Sequence, residues 1–259
     1  MFMLLVRIAI FDSGLGSLSI IKSLQKKFKC EIIYFADQNN FPYGTKSKKE
    51  LSVIIKKSIF YLKKNYSPDI IVMASNTPSL LLDSVESRII KVTPPIIEAS
   101  KLSNTNNIGI LATKSAINSQ GLENFIKKSH LPKKNKIHKI NASLLVNLVE
   151  SGKFLTNKKL CCNIIQKELE NYFNENKIDV VTLSSTHLPF LKQFFEKIFP
   201  DITFLDPSDL IAEKILKKRN LNSQKRNKMK IITTGNAKNF EKILVRQGIK
   251  NKPQQIPSL

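Results

Sequence analysis

Short apolar runs alternate along the chain with longer, lysine-rich amphipathic stretches. Seven of the runs are strand-like, because their apolar residues are consecutive, as in strands covered on both faces. They span residues 6–11, 31–36, 70–74, 108–112, 180–184, 202–205 and 231–233. Between them, apolar side chains recur at helical spacing over residues 17–28, 49–65 and 190–199. Strands that alternate with helices predict an α/β fold with mainly parallel sheets.

A sequence repeat indicates that the chain has two related halves. The segment from Asp69 to Thr77 (DIIVMASNT) resembles the segment from Asp179 to His187 (DVVTLSSTH). Each copy places a serine and a polar pair just beyond a predicted strand. Ligands of parallel sheets bind beyond the carboxyl ends of strands, so both turns are candidate ligand sites. The alternative is that any buried strand followed by a polar turn has this pattern.

Two further loops follow predicted strands. Asp12-Ser-Gly-Leu-Gly16 precedes a predicted helix, whose free amide groups would attract an anion. Residues 37–45 contain Pro42 and Gly44, which stiffen the loop and allow a close backbone approach. Either segment could be an ordinary turn, since one glycine pair is a weak signal.

His187 is the one histidine of three that follows a predicted strand. A role in the site is therefore favoured for it, whereas His130 and His138 flank a lysine-rich stretch and are expected to be solvated. Neither Ser75 nor Ser185 lies in a G-x-S-x-G motif, so a serine hydrolase is disfavoured.

Composition narrows the class of protein. Lys and Arg number 42 against 20 Asp and Glu, a formal charge of +22. The basic residues, including the run Lys217-Lys-Arg219, are spread over helices and loops, which is typical of solvated faces rather than of a nucleic-acid surface. The three cysteines are expected to be free thiols, and no Cys or His spacing indicates a metal site. The first apolar run is too short for a membrane span, so a cytoplasmic protein without a membrane partner is expected.

Taken together, these loops resemble the glutamate racemase family, within the cofactor-independent aspartate/glutamate racemase superfamily. The order and spacing of the matching segments fit over nearly the whole chain. The segments are Phe11-Asp-Ser-Gly14, Tyr34-Phe-Ala-Asp37, Pro42-Tyr-Gly-Thr45, Gly109-Ile-Leu-Ala-Thr113, Leu145-Val-Asn-Leu-Val-Glu-Ser-Gly152, Thr186-His187 with Pro189, Phe204-Leu-Asp206 and Thr233-Thr-Gly235.

The resemblance implies two pseudo-symmetric α/β domains that face each other across an active-site cleft. The first domain would comprise residues 1–97 and 208–259, and the second residues 98–207. The family interconverts L- and D-glutamate by moving the α-proton between two thiols on opposite faces of the α-carbon. The resemblance further implies no cofactor and no metal, a small acidic amino acid as partner, a homodimer, and D-glutamate as a peptidoglycan precursor.

The chain departs from the family at the reacting groups, because the two catalytic cysteines would align with Ser75 and Ser185. A hydroxyl is a far weaker acid than a thiol, so little of the reactive anion exists at neutral pH. Ala116 and Ser184 also replace a threonine and a glycine that are usual in the family. By resemblance, the catalytic positions are Ser75, Ser185, Asp12, Glu150 and His187. The substrate-binding positions are Asp12, Ser13, Pro42, Tyr43, Gly44, Asn76, Thr77, Thr186 and His187.

Three functions remain open at this point. The first is a racemase that acts on glutamate or a similar amino acid, with Ser or the neighbouring acid/base groups in place of thiols. The second is a catalytically inactive protein, a pseudoenzyme, that retains the acidic amino-acid site. The third, and least favoured, is a basic protein that binds nucleic acid.

Overall fold

The computed structural model describes residues 6–82, 86, 89–217 and 227–259. The chain forms two compact units: unit 1 comprises Met1–Val92 and Ser208–Leu259, and unit 2 comprises Thr93–Pro207. Lys218 and Arg219, which belong to one of the basic runs, lie outside the described residues. Within the described part, no helix is both long and apolar enough to cross a bilayer.

Strands and helices alternate along most of the chain. In chain order they are β1 (Arg7–Asp12), α1 (Ser17–Lys27), β2 (Glu31–Ala36), α2 (Lys48–Tyr66), β3 (Ile70–Met73), α3 (Asn76–Leu81), β4 (Ile89–Lys91), α4 (Ile96–Leu102), β5 (Asn107–Ala112), α5 (Lys114–Ile117), α6 (Gln120–Lys128), β6 (Lys136–Asn141), α7 (Ser143–Glu150), α8 (Lys153–Thr156), α9 (Lys158–Glu175), β7 (Val180–Leu183), α10 (Lys192–Ile198), β8 (Thr203–Leu205), α11 (Pro207–Lys217), β9 (Lys228–Thr233), α12 (Ala237–Arg246) and β10 (Pro253–Gln255). Single 3-10 turns cover Gln38–Asn40, Tyr43–Thr45 and Leu188–Leu191.

The sheet of unit 1 has the order β10-β9-β2-β1-β3-β4, and every neighbouring pair is parallel. β1 lies inside the sheet, and its residues Ile8 to Phe11 are fully buried because helices cover both faces. The register pairs Arg7 with Glu31, and the Arg7 Nε atom donates to Glu31 Oε2 at 2.8 Å. The carboxyl ends of β1, β2 and β3 therefore lie side by side along one edge of the sheet.

The sheet of unit 2 is also parallel throughout, with the order β6-β5-β7-β8. This order repeats that of β2-β1-β3-β4 in unit 1, with the first strand of each unit inside the sheet. The predicted α/β fold with two parallel sheets flanked by helices is thus confirmed, and the shared strand order accounts for the repeat in the sequence.

Several elements differ from the sequence-based predictions. The strands β4, β6 and β10, which lie at sheet edges, were not predicted. β4 and β10 have only three residues each, and β6 has polar residues at four of its six positions. The predicted helix at 190–199 is a 3-10 turn followed by α10, since a proline at position 189 opens the turn. His138 lies on β6 and is half-buried between Asn107 and Tyr172, so the expectation of a solvated side chain was wrong for this residue. His130 is exposed, as expected.

Candidate active site

Both serines of the repeat occupy the same place in their own unit. Ser75 is the second residue beyond β3 and is the residue before α3. Ser185 is the second residue beyond β7 and comes before the turn at Leu188–Leu191. We call Asp12, Ser13, residues 37–45 and residues 75–77 half-site 1. We call Glu150 and residues 185–187 half-site 2.

Asp12 has a structural role in half-site 1. Its carboxylate is buried, with Oδ1 accepting from the Gly14 N–H at 2.9 Å and Oδ2 accepting from the Ser17 N–H at 2.8 Å. The Ser17 amide opens α1, where the sequence predicted that free amide groups would attract an anion, and the Gly14 amide lies in the loop before it. The anion they hold is a side chain of the same loop, so a ligand anion is not needed there.

Asp37 organises the second loop of half-site 1. The Tyr43 hydroxyl donates to Asp37 Oδ2 at 3.1 Å, the Thr234 hydroxyl donates to Oδ1 at 3.0 Å, and Asn40 Nδ2 donates to both oxygens. Burial, followed by the nearby carboxylates of Asp37 and Asp12, raises the pKa of Tyr43 well above its ordinary value. The Tyr43 side chain is therefore a neutral part of the core.

Tyr43 can thus contribute only its backbone to a ligand site, and its N–H already lies 3.3 Å from Ser13 Oγ. The next amide, that of Gly44, has no hydrogen-bond acceptor among the described residues. The Phe41–Pro42 peptide bond is cis. Asp37 was quoted in the family resemblance but was not predicted as a site residue. Its place one residue beyond a predicted strand is the signal that could have found it.

Asn76 is the most unusual residue of half-site 1. Its side chain is 5% exposed, and neither Oδ1 nor Nδ2 has a hydrogen-bond partner among the described residues. The backbone N–H groups of Asn76 and Thr77 also lack an acceptor there. A buried polar group without a partner costs roughly 1–3 kcal/mol, so such groups need an explanation. The neighbouring Ser75 is half-buried, and its side chain makes no capping hydrogen bond to α3.

In half-site 2, three side chains form a hydrogen-bonded chain. Ser185 Oγ lies 3.4 Å from His187 Nδ1, and the other ring nitrogen, Nε2, contacts Glu150 Oε1. Because a carboxylate only accepts hydrogen bonds, Nε2 carries a hydrogen, and in the neutral imidazole Nδ1 then presents its lone pair towards Ser185. Glu150 is placed by the end of α7, where the chain turns through Gly152 at a positive φ of 70°.

The two smaller departures from the family are both buried in unit 2. The hydroxyl of Ser184 pairs with Thr182 Oγ1 at 2.8 Å, so the extra polar group is satisfied. Ala116 lies in α5, where its N–H faces Thr113 Oγ1 at 3.4 Å. Thr186, predicted to bind substrate, lies between the two active-site candidates Ser185 and His187 and is buried.

None of the three cysteines belongs to either half-site. Burial raises the pKa of Cys30 to about 12. Burial, and then its neighbour Cys162, also raises the pKa of Cys161, which lies in α9. Neither of these thiols can supply a thiolate at neutral pH. No group of three or more His, Cys, Asp and Glu side chains in the described part of the chain could hold a metal ion.

Comparison with known proteins decides the family. A glutamate racemase from Sulfurihydrogenibium sp. is 33% identical over 246 residues, which cover 91% of this chain and 91% of the relative. A glutamate racemase from Buchnera aphidicola subsp. Schizaphis graminum is 35% identical over 80% of this chain and 83% of its own length. The chain belongs to the glutamate racemase family. No family model matches the sequence.

Solved glutamate racemase structures share the fold. The enzyme from Francisella tularensis, in complex with D-glutamate, is 25% identical with a TM-score of 0.79, and the match covers 97% of each chain. The RacE1 isoform from Bacillus anthracis is 23% identical with a TM-score of 0.81, over 96% of each chain. The Escherichia coli enzyme, in complex with L-glutamate and the activator UDP-MurNAc-ala, has a TM-score of 0.78.

Proposed function

We propose that this member of the glutamate racemase family binds glutamate, and that half-site 1 contacts the bound molecule. The domains implied by the resemblance, residues 1–97 with 208–259 and residues 98–207, are also part of this proposal. A homodimer and a location in the cytoplasm remain parts of this proposal.

The observation that carries the proposal is the buried, unpartnered side chain of Asn76. Its amide has one donor and one acceptor group, which match a carboxylate and an ammonium group of an amino acid. The N–H groups of Gly44 and Thr77 offer two further donors for a carboxylate in the same unit. A ligand that satisfies these groups regains the free energy lost by burying them, which favours binding.

Racemisation by this protein would be slow, because the positions of the two family thiols carry Ser75 and Ser185. Every 1.36 kcal/mol added to the barrier costs about tenfold in rate, and hydroxyl groups are much poorer bases than thiolates. We therefore propose that the protein binds glutamate and that any racemase activity is weak. Nucleic-acid binding remains the less favoured alternative. The lysine pairs, such as Lys127 with Lys128, are exposed, as is typical of the solvated face of a helix.

Titration calorimetry with L-glutamate, D-glutamate and glutamine tests the proposal. We expect both glutamate enantiomers to bind more tightly than glutamine. Asn76→Leu should abolish the heat of binding. Asn135→Leu is the matched control, since Asn135 is an asparagine with one unpartnered oxygen in unit 2, outside both half-sites. Binding that is unaffected by Asn76→Leu, or equal for glutamine, would contradict the proposal.

A further inference from the structure

Helix α2 of unit 1 has apolar side chains on its outward face as well as on its inward face. The inward face packs on the sheet through buried side chains such as Leu51 and Leu62. The outward face carries Val53 and Phe60, which lie two turns apart and are 50% and 67% exposed. Phe60 is the most exposed large apolar side chain in the described part of the chain. Unit 1 therefore leaves apolar surface in water that burial would stabilise.

Lysines flank the exposed Phe60 ring on both sides. At about 100° per residue, the outward face of α2 is a strip about 120° wide with Phe60 at its centre. The lysines of this strip are Lys49, Lys56, Lys57, Lys63 and Lys64. The Lys64 Nζ atom lies 6.0 Å from the centre of the Phe60 ring. We call these five lysines, Val53 and Phe60 the outer face of α2.

The outer face of α2 is strongly cationic. The helix has six lysines against one glutamate, a formal charge of +5. That glutamate, Glu50, is held by the Ser47 hydroxyl and amide in the capping box. Lys63 contacts Glu86, and Lys57 donates to a backbone oxygen of residue 259, so both cations are held in place.

The lysine-rich composition of the chain does not by itself produce such a face. Helix α9 of unit 2 has 18 residues against 19 in α2, and it carries three lysines and three glutamates. Its exposed side chains are polar apart from the Tyr172 ring, which is 39% exposed. Two helices of nearly equal length thus differ, because α9 is neutral and polar outside whereas α2 is cationic and apolar.

A groove beside α2 extends the apolar surface around Phe60. It has a volume of about 930 Å³ and is lined by Phe60 together with Leu82 and Ile89. Lys49 and Lys56 line the same groove. The apolar surface is therefore wider than one exposed ring and has lysines along it.

We propose that the outer face of α2 docks on a bilayer surface that contains anionic lipids. Such a surface offers negative headgroups for the lysines and, just beneath them, an apolar layer for Val53 and Phe60. A duplex nucleic acid matches the charge but not the apolar side chains, and a second copy of this face would bring like charges together. The helix lies along the membrane surface and does not cross it. This partner was not predicted from the sequence, and the proposal is independent of glutamate binding.

Co-sedimentation with vesicles tests the charge requirement. We expect binding to vesicles of phosphatidylglycerol and phosphatidylcholine in equal parts, and none to phosphatidylcholine alone. Since a protein of charge +22 attracts anionic vesicles through any basic face, matched variants decide. Lys49→Gln with Lys56→Gln should weaken binding by about 25-fold, because each lysine near an anionic surface contributes a factor of about five.

The control removes the same charge from the other helix. Lys159 and Lys167 are exposed on α9, and their joint replacement by glutamine should weaken vesicle binding by no more than about twofold, because screening confines attraction to lysines near the surface. Equal losses in the two double variants would overturn the proposal.

The chain has no tryptophan, so one placed at position 60 reports on insertion. The emission of Phe60→Trp should shift to shorter wavelength with anionic vesicles and be quenched by brominated lipid, whereas Tyr172→Trp should show neither effect. Phe60→Ser should weaken binding by about tenfold, because the ring no longer leaves water, and Tyr172→Ser should not. Unshifted emission from vesicle-bound Phe60→Trp would refute docking through this face.

The same samples distinguish the other partners. Emission of Phe60→Trp that shifts with protein concentration in the absence of vesicles would show that a second copy covers the face, and would overturn the proposal. So would loss of duplex DNA binding in the Lys49 and Lys56 double variant with vesicle binding retained. Glutamate calorimetry on these variants should match the parent, because α2 belongs to neither half-site. Failure of vesicle binding therefore leaves the proposed glutamate site untouched.

Discussion

Replacing Asn76 by leucine should make the protein more stable while it loses its ligand. Leucine has nearly the shape of asparagine, and the position is 5% exposed, so the apolar side chain fits a buried site. The substitution removes a donor and an acceptor that have no partner in the described structure. Because an unsatisfied buried group costs roughly 1–3 kcal/mol, we expect the free energy of unfolding to rise by about that amount. This corresponds to an increase of roughly 2–12 °C in Tm for a chain of this size.

Urea unfolding with and without glutamate measures both effects. The parent protein should gain about 2.7 kcal/mol at a glutamate concentration one hundred times its Kd, and Asn76→Leu should gain nothing. Asn135→Leu is the control, because Asn135 Nδ2 donates to Ser100 Oγ and the bond is lost. That variant should be less stable by about 1 kcal/mol and should keep the response to glutamate. If Asn76→Leu is less stable than the parent and still responds to glutamate, the Asn76 amide serves the fold and the reasoning is wrong.

Three further predictions concern single residues. Burial raises the pKa of Asp179, but hydrogen bonds from the 103–105 segment outweigh this effect and hold the pKa below its ordinary value. The stabilisation of the fold by these bonds is therefore present above pH 4 and is lost as the pH falls below 4. Asp179→Asn should therefore lower the urea midpoint at pH 7 and have little effect at pH 3. The Cys30 thiol should stay unlabelled by iodoacetamide at pH 8 in the folded protein, because burial raises its pKa to about 12. Mass spectrometry that finds Cys30 labelled would contradict this. Gly152→Ala should cost about 1–2 kcal/mol in urea unfolding, since alanine disfavours the positive φ of 70°, whereas Gly152→Asn should cost less.

The sequence allowed the interior of each unit to be predicted better than its edges. β2 was predicted with its observed bounds because a strand covered on both faces has consecutive buried apolar positions, here Ile32 to Ala36. β6 (KIHKIN) is an edge strand whose two lysines are exposed, so nothing in its composition distinguishes it from a lysine-rich loop. Ser75 and Ser185 each follow a buried apolar strand directly, so the local sequence pattern was enough to predict that both lie at the carboxyl end of a strand.

Contacts across long sequence separations could not be read from local pattern. The pairing of Glu150 with His187 spans 37 residues, and that of Asp37 with Thr234 spans 197. Both depend on how helices and strands pack, so the sequence indicated the residues through a family resemblance but not the bonds between them. The unpartnered amide of Asn76 is a further case, because burial is a property of the packed chain.

Unit 1 is assembled from two stretches of chain that are separated by the whole of unit 2. During translation, β1 to β4 leave the ribosome first, and unit 2 can fold before β9 is made. At about 5–20 residues per second, β2 waits roughly 10–40 s for the strand that will cover its open edge. An unpaired strand edge is a template for aggregation, which makes this interval the most vulnerable stage of synthesis. Thr234, which holds Asp37 in place, arrives only then, so half-site 1 is completed last.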